Sequence, residues 1–393
     1  MSKLLTCDIF CAVVDNYGDI GVCWRLAKQL ANEHGMAVRF WVDDLASFRR
    51  LCPQINPELS AQHSHGVKVR HWSAVFPETA PADLVIEAFA CELPQSYVAA
   101  MAAKTHKPVW INLEYLSAEG WVVGCHKLPS PHPSLSLIKY FFFPGFIPQT
   151  GGLLLEDDLL AQRDAFQRDP QAIAAFWQAL DVPPPKSDET RVSMFCYENP
   201  ALPELFAAWG EGSAPVCCMV PEGRVLPQVA ASFGQAQAAP GDVFKRGNLE
   251  VRALPFLEQE RYDELLWACD INFVRGEDSC VRAQWAGKPF VWHIYPQHDG
   301  VHMQKLRAFM NLYCAKLPLD AAQVLHVLWE GWNGGQASGQ TASTGSGQAW
   351  NDFLAHRSTL RQHAQGWAQQ LSANSLALNL LDFFRQVGKI RAS

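Results

Sequence analysis

The segment CDIFCAVVDNYGDIGVCWRLAKQLANEHG, residues 7–35, contains the first strand and the first helix that the sequence predicts. CDIFCAVV is an apolar run typical of a buried strand, and IGVCWRLAKQLANEH places apolar residues at helical spacing. Gly35 follows this helical pattern, at a position where glycine commonly ends a helix. Between strand and helix, Asp15 and Asp19 lie on either side of Gly18, which permits a tight turn. This order predicts the start of a βαβ unit.

The same alternation continues along the first half of the chain. Further strand-like runs are AVRFWV, VKVRHW, DLVIEAF and KPVWINLEY, and LPQSYVAAMAAK has the character of a helix. Strands that form nearly continuous apolar runs are typical of a parallel sheet with helices on both faces. The sequence therefore predicts a doubly wound α/β domain.

A proline-rich connector, DVPPPKSDET (Asp181–Thr190), divides the chain, and strand–helix alternation restarts after it. Because 393 residues exceed one ordinary core, two domains are expected. We predict Rossmann-like domains at 1–180 and 188–361, with a cleft between them, and a C-terminal helix at about 362–390 that packs back onto the first. The low-complexity stretch 334–348 predicts a disordered loop.

Composition excludes several classes of protein. A formal net charge of -7 does not favour nucleic-acid binding, which usually needs a basic surface. No apolar run is long enough to cross a membrane. The 12 cysteines show no C-x-x-C spacing, and many lie within apolar runs, where a free thiol packs as a small hydrophobe. These features predict a reduced, cytoplasmic protein that binds neither nucleic acid nor membrane.

The first candidate site is the turn that carries Asp15 and Asp19. Ligands of open α/β sheets bind beyond the carboxyl ends of the strands, and Asp15 directly follows the first strand. Asp19 can be explained as the N-cap of the helix, since aspartate is a favoured capping residue. A cap accounts for one carboxylate and leaves the other unexplained. The glycines here do not form the G-x-G-x-x-G pattern of dinucleotide-binding proteins.

The second candidate site is the stretch RGEDS, which links a predicted strand to a predicted helix. A helix N-terminus offers free N–H groups to phosphate, and Arg275 adds a forked cation. Ser279 can donate another hydrogen bond. Glu277 and Asp278 either cap the helix and complement its dipole, or accept sugar hydroxyls and hold the Arg275 side chain.

Three further residues follow strands in the second half of the chain. Phe256 and Gln259 lie where a strand meets a helix and could stack on a base and read its edge. Their simpler interpretation is a core aromatic and a first-turn polar residue. Tyr197 is similarly either a packed aromatic or a contact to ribose.

Two other groups of residues could suggest a metal site. His298 and His302 have the spacing of metal ligands on a helix, but no third ligand is evident, so we favour a surface or supporting role. Asp43 and Asp44 more simply end a strand and begin a helix than bind a metal.

The two motifs DNYGDIGVCWRLAKQL and FVRGEDSCVRAQWAGKPFVWHIYPQ together resemble the EarP family of bacterial protein-arginine rhamnosyltransferases, and the resemblance covers essentially the whole chain. It implies a GT-B glycosyltransferase, whose first domain binds the acceptor and whose second binds the nucleotide-sugar. The implied donor is dTDP-β-L-rhamnose, transferred with inversion and without a metal or other cofactor. The implied acceptor is an arginine of elongation factor P, which the modification activates for translation of polyproline stretches.

The resemblance also implies roles for individual residues. Asp19 matches the general base and Asp15 the carboxylate that assists it. The remaining matches are to substrate-binding positions: Phe256 and Gln259 hold thymine, Tyr197 lies near the ribose, and Arg275, Glu277, Asp278, Ser279 and Tyr295 surround the diphosphate and sugar.

Two other functions remain open from the residues alone. One is a GT-B nucleotide-sugar transferase that acts on a small-molecule or lipid acceptor; a basic or apolar membrane-facing stripe in the first domain would favour it, and none is evident. The other is a non-catalytic nucleotide-binding protein, in which Asp19→Asn would change no activity.

Overall fold

The computed structural model describes residues 4–13, 17–297, 300–334 and 346–392. They form two compact units, Met1–Asp157 with Leu371–Ser393, and Asp158–Gln370. Each unit contains one sheet of mainly parallel strands, which confirms the predicted α/β class. The segment 158–180 groups with the second unit, whereas the sequence-based division placed it in the first.

The strands described are β1 (Thr6–Cys11), β2 (Ala37–Val42), β3 (Ala61–Ser64), β4 (Val67–His71), β5 (Leu84–Ala88), β6 (Val109–Leu113), β7 (Pro129–Pro131), β8 (Ile138–Phe142), β9 (Thr190–Met194), β10 (Val216–Pro221), β11 (Val243–Arg246), β12 (Leu249–Leu254), β13 (Ile271–Arg275) and β14 (Phe290–His293). The helices described are α1 (Gly18–Asn32), α2 (Leu45–Leu51), α3 (Gln95–Ala103), α4 (Val122–Cys125), α5 (Leu159–Arg168), α6 (Pro170–Ala179), α7 (Leu202–Glu211), α8 (Leu226–Ser232), α9 (Gln259–Ala268), α10 (Asp278–Ala286), α11 (Val301–Cys314), α12 (Leu319–Trp332), α13 (Ser346–Ala355), α14 (Arg357–Leu371) and α15 (Leu376–Ala392).

The sheet of the first unit has the strand order β3-β4-β2-β1-β5-β6-β8-β7. The strands from β4 to β8 in this order pair in parallel, and β3 and β7 add antiparallel edges. This is the strand order of the Rossmann fold. Strands β2 and β4 are added on one side of β1, and β5, β6 and β8 on the other, so the switch point lies between β1 and β5. Ligands of such sheets bind at this switch point, so the loop after β1 lies where a substrate is expected.

Neighbouring residues of β1 are buried in two different hydrophobic cores, one on each face of the sheet of the first unit. Ile9 is fully buried in the core that contains α1 and the apolar residues of α15. Phe10 is fully buried in the opposite core, where it stacks on Trp41 and meets the edge of Tyr97. Because both sides of β1 are buried, its side chains are apolar apart from Thr6 and Asp8, and the buried Asp8 carboxylate pairs with Arg39 at 2.5 Å.

The sheet of the second unit has the order β11-β12-β10-β9-β13-β14. All its pairs are parallel except that of β11 with β12. The switch point of this sheet lies between β9 and β13. Across it, the Ser193 hydroxyl donates to Asn272 at 2.6 Å, and the Asn272 amide donates to Leu266 at 3.0 Å.

A buried ion pair joins α9 to α10 in the second unit. The Arg282 guanidinium donates to both oxygens of Asp263, at 2.9 and 2.8 Å, and both side chains are almost fully buried. A forked guanidinium–carboxylate contact fixes the relative orientation of its two partners. The pair therefore fixes the orientation of α9 and α10 to each other, and the first turns of these helices carry Gln259 and Ser279.

The end of the chain contains two helices rather than the one predicted for about 362–390. Helix α14 packs in the second unit, where Trp367 donates to Gln284 at 2.7 Å. Helix α15 packs in the first unit. Between them, the Leu153 N–H donates to the Asn374 carbonyl at 3.1 Å, and the Leu376 N–H donates to the Leu153 carbonyl at 2.9 Å. The sequence did not predict this break, because residues 372–375 between the two helices include neither proline nor glycine.

Two further comparisons with the predicted elements concern loops and membrane segments. Of the predicted loop 334–348, residues 335–345 lie outside the described residues, and α13 begins at Ser346. No helix in the described part of the chain has both the length and the hydropathy needed to span a bilayer.

Stability should fall as the pH is lowered from about 7 to about 5. Burial and the neighbouring Lys127 lower the pKa of His126 to about 4, and its Nδ1 accepts from the Phe143 N–H at 3.1 Å. Between about pH 6.5 and about pH 4, the unfolded chain therefore binds a proton that the folded chain does not, which favours unfolding.

The measurement is the urea midpoint as a function of pH for wild type, His126→Gln and His106→Gln. We expect His126→Gln to reduce the loss of stability over this range by up to about 1 kcal/mol. The substitution of His106, an exposed histidine of the same unit, should leave the slope unchanged. Equal slopes for all three proteins would contradict the assignment.

Candidate active site

Asp19 lies at the switch point of the first sheet, in the first turn of α1. The helix begins at Gly18 with Tyr17 as its N-cap, so the N-cap interpretation of Asp19 is wrong. The side chain of Asp19 is only 4% exposed. A buried carboxylate near a helix N-terminus is stabilised by the helix dipole. Asp15 lies outside the described residues.

Electrostatic contacts place the Asp19 carboxylate beside the end of β1. The pKa of the Cys11 thiol is raised by a hydrogen bond with Cys23 and by burial, and the charges of Asp19 and Asp43 raise it further. Asp43 follows β2 and accepts from the Val13 N–H at 3.0 Å. Two negative charges therefore lie near Cys11 at the carboxyl end of the sheet, where a cationic group would be attracted.

The neighbouring carboxylate, Asp44, is the N-cap of α2. It accepts from the Ser47 N–H at 2.9 Å, and the Ser47 hydroxyl also donates to it. Despite partial burial, these hydrogen bonds lower the pKa of Asp44. The prediction that this residue begins a helix is confirmed.

Arg275 lies at the switch point of the second sheet, as the last residue of β13. Its guanidinium lies over the rings of Phe195, at 4.4 Å, and Tyr197, at 4.9 Å, which follow β9. The side chain is 7% exposed, and its Nη1 has no hydrogen-bond partner among the described residues. A buried cation with an unsatisfied donor is ready to bind an anion.

The turn from β13 to α10 is fixed by Ser279. Its hydroxyl accepts from the Arg275 N–H at 3.0 Å and donates to the Arg275 carbonyl. Gly276 adopts φ 59°, a left-handed conformation that favours glycine. Ser279 therefore holds the backbone of Arg275, and its hydroxyl hydrogen is already used in this arrangement.

Ser279→Ala should lower the free energy of unfolding by about 1–3 kcal/mol, because the buried Arg275 N–H loses its partner. Binding of a phosphate compound should weaken as Arg275 loses its fixed position. The matched control is Ser232→Ala on α8, whose hydroxyl donates to the Gln228 carbonyl at 2.9 Å. Urea unfolding of both variants checks the prediction, and equal losses would contradict it.

Glu277 and Asp278 begin α10 and are half-buried. Glu277 is the N-cap residue, but its side chain makes no capping hydrogen bond. Side-chain capping therefore does not explain Glu277. Burial raises the pKa of the Cys280 thiol, and the negative charge of Glu277 raises it further.

The remaining predicted residues surround the same edge of the second sheet. Phe256 follows β12 and is half-buried, and Gln259 is the first residue of α9 and 3% exposed. Tyr197 is buried, and its ring meets the edge of Tyr295, which is 49% exposed. All these residues follow the carboxyl ends of strands, as ligand-binding residues of such sheets do.

His293, which sequence reasoning missed, lies next to Arg275. It ends β14, is 5% exposed, and its ring meets that of Tyr197 at 5.2 Å. The available signal was its position as a polar residue at the end of an apolar strand. Of the two other histidines considered, His298 lies outside the described residues and His302 accepts from the Gln297 N–H at 3.1 Å through Nδ1.

Comparison with known proteins assigns the chain to a family. The family model described as "Elongation-Factor P (EF-P) rhamnosyltransferase EarP" matches residues 7–385. The protein-arginine rhamnosyltransferase of Pseudomonas putida KT2440 is 50% identical over 383 residues, covering 97% of this chain and 98% of that protein. The protein of the same name from Neisseria meningitidis is 36% identical over 392 residues, covering 98% of each.

Solved structures agree with this assignment. One described as the structural basis for EarP-mediated arginine glycosylation of translation elongation factor EF-P is 37% identical, with a TM-score of 0.69, and covers 97% of this chain and 99% of that chain. Spinosyn forosaminyltransferase SpnP, 12% identical with a TM-score of 0.51 over the full length of both chains, is similar in fold alone. The chain therefore has the GT-B fold and belongs to the EarP family of elongation factor P rhamnosyltransferases.

Proposed function

We propose that this enzyme transfers rhamnose from dTDP-β-L-rhamnose to one arginine side chain of elongation factor P, with inversion at the anomeric carbon. The observation that carries this proposal is membership of the family along essentially the whole chain. The first unit holds the acceptor arginine and the second holds the donor.

The donor's nucleotide lies along the carboxyl edge of the second sheet. Arg275 binds the diphosphate, since a guanidinium fork matches two phosphate oxygens and the Nη1 of this one is buried without a partner in the described chain. The first turn of α10 adds backbone N–H groups and the positive end of the helix dipole. Thymine stacks on Phe256 and is read by Gln259, while Tyr197 contacts the ribose.

The sugar and diphosphate are also contacted by polar residues near this edge. Glu277 and Asp278 accept hydrogen bonds from sugar hydroxyls, and Tyr295, which is 49% exposed, contacts the sugar. Ser279 acts mainly by holding Arg275 in place, as its hydrogen bonds indicate.

The acceptor arginine is bound by Asp19 and Asp15. A guanidinium is a poor nucleophile, because its lone pairs are delocalised and its pKa exceeds about 12. Two carboxylates bind two of its N–H edges, fix its plane and direct one nitrogen at the anomeric carbon. The burial of Asp19 strengthens this interaction, since water competes less with a buried carboxylate.

Transfer is a single displacement. The arginine nitrogen forms a bond to the anomeric carbon as the bond to the diphosphate oxygen breaks, and Asp19 takes the proton that the nitrogen loses. The dTDP leaves with the bonding electrons, and Arg275 with the N–H groups of α10 stabilises its charge. Attack from the side opposite the leaving group inverts the anomeric carbon.

We further propose a cytoplasmic location. All twelve cysteines are free thiols, and ten of them are buried. Proteins that retain many free thiols are typical of reducing compartments, where disulfides rarely persist.

The test is release of dTDP from dTDP-β-L-rhamnose in the presence of elongation factor P, of free arginine, or of neither. We expect rapid release only with elongation factor P. Equally rapid release with free arginine would favour a small-molecule acceptor, and no release with any acceptor would reject the transferase proposal.

A further inference from the structure

His293 and Arg275 occupy paired positions on neighbouring parallel strands. They are register partners in the pairing of β13 with β14, and the Gly276 N–H donates to the His293 carbonyl at 3.3 Å. Register partners of parallel strands project their side chains from the same face of the sheet. Both side chains also contact Tyr197. The Cζ atom of Arg275 lies 4.9 Å from the centroid of the Tyr197 ring, and the centroid of the His293 ring lies 5.2 Å from it.

Both side chains carry a buried polar atom without a partner. The exposed fractions are 7% for Arg275 and 5% for His293. In the described chain, neither Nη1 of Arg275 nor Nδ1 of His293 has a hydrogen-bond partner. Because an unsatisfied buried polar atom costs free energy, two of them side by side at a switch point indicate a ligand that supplies the missing bonds.

The charges around His293 indicate the sign of that ligand. Burial, then Arg275 on β13 and His302 on α11, lower the pKa of His293 to about 4. Tyr197 and Trp332 on α12 contribute rings, the latter at 5.9 Å. Helix α10, which also packs on β14, carries Glu277 and Asp278 in its first turn. Of the charged groups on these elements, those that shift the pKa of His293 are Arg275 and His302, and both act as cations, so an arriving anion would be stabilised by them.

We propose that His293 is a second ligand of the donor's diphosphate beside Arg275, and that its imidazole takes up a proton from solvent when the donor binds. This rests on the proposed function, since it takes the second unit to bind a dTDP-sugar. The imidazolium then donates one hydrogen bond to a phosphate oxygen, and the proton returns to solvent after dTDP leaves. Before binding, the neutral ring avoids repulsion from Arg275.

The experiment is calorimetric titration of the full-length enzyme with dTDP-β-L-rhamnose, without elongation factor P, at about pH 6 in buffers of different ionisation enthalpy. Both phosphates of a nucleotide-sugar are esterified, so the ligand itself does not titrate in this range. The dependence of observed enthalpy on buffer ionisation gives the number of protons taken up. We expect wild type to take up a fraction of a proton per donor bound.

His293→Gln keeps a polar side chain that cannot become charged. It should abolish the proton uptake and weaken donor affinity about tenfold, as expected for one lost charge-assisted hydrogen bond. The matched control is His326→Gln on α12, half-buried in the same unit, which should leave both quantities unchanged. His293→Asn replaces His293→Gln if thermal unfolding shows that the latter does not fold.

Several outcomes would overturn the inference. Donor binding by wild type without proton uptake rejects it, and this arm needs no variant. Uptake that persists in His293→Gln would assign the proton to another titratable group and reject the role of His293. If wild type does not bind the donor at all, the proposed function itself is rejected. The other two results reject only the role of His293, because in both of them the donor still binds.

Discussion

Asp19→Asn should lower the rate of arginine rhamnosylation by about 10²–10⁴-fold, the range expected for loss of a general base. The amide keeps the size of the side chain but cannot accept the proton from the guanidinium nitrogen. Affinity for dTDP-β-L-rhamnose should remain nearly unchanged, since Asp19 belongs to the first unit and the donor residues to the second. Single-turnover rates and calorimetric dissociation constants measure the two quantities.

The control for this variant is Asp44→Asn, the same substitution at the same edge of the first sheet. Asparagine caps helices as well as aspartate does, so α2 should persist and transfer should continue at the wild-type rate. If Asp19→Asn lost donor affinity and transfer in equal measure, its role would be structural. Unchanged activity would instead favour a non-catalytic nucleotide-binding protein.

Arg275→Ala should weaken donor affinity by about 10–100-fold and reduce transfer at least as much. It removes the cation over Phe195 and Tyr197 and leaves the diphosphate without its main counter-charge. Arg275→Lys should lie between alanine and wild type, because lysine keeps the charge but lacks the fork.

Lys245→Ala provides the matched loss of a cation from the second unit. Its ammonium pairs with Glu250 at 3.2 Å at the edge of the sheet, and its side chain is 67% exposed. Lys245→Ala should leave donor affinity unchanged, because an exposed ion pair contributes little to the free energy of the folded protein. An Arg275→Ala variant that bound the donor as tightly as wild type would reject the diphosphate role.

The sequence predicted most of the central strands, because each contains a run of mainly apolar residues. The run AVRFWV corresponds to β2 at both ends, and CDIFCAVV contains most of β1. The inner strand β8 and the edge strands β3, β7 and β11 were not predicted. The edge strands differ from the others in character. They are short and largely polar, and their antiparallel pairing depends on the neighbouring strand rather than on a periodic pattern of their own.

The sequence predicted only part of the candidate site, because it shows where strands end but not which polar atoms are already hydrogen-bonded. Strand ends can be predicted from where an apolar run stops, and this drew attention to Asp15, Tyr197 and Arg275, while Asp19 was identified at the start of the helix that follows. The position of apolar runs does not show which polar atoms already have hydrogen-bond partners or which residues are neighbours across the sheet. The Ser279 hydroxyl is engaged with the Arg275 backbone, and His293 is adjacent to Arg275 only through strand register across the sheet.

Intact-mass measurement of elongation factor P, after incubation with the enzyme and dTDP-β-L-rhamnose, tests most directly whether a cationic arginine is the acceptor held by paired carboxylates. Wild-type elongation factor P and a variant with the acceptor arginine replaced by lysine are compared in parallel. We predict a gain of one deoxyhexose on the wild-type acceptor and none on the lysine variant. No gain on the former, or an equal gain on the latter, would contradict the account.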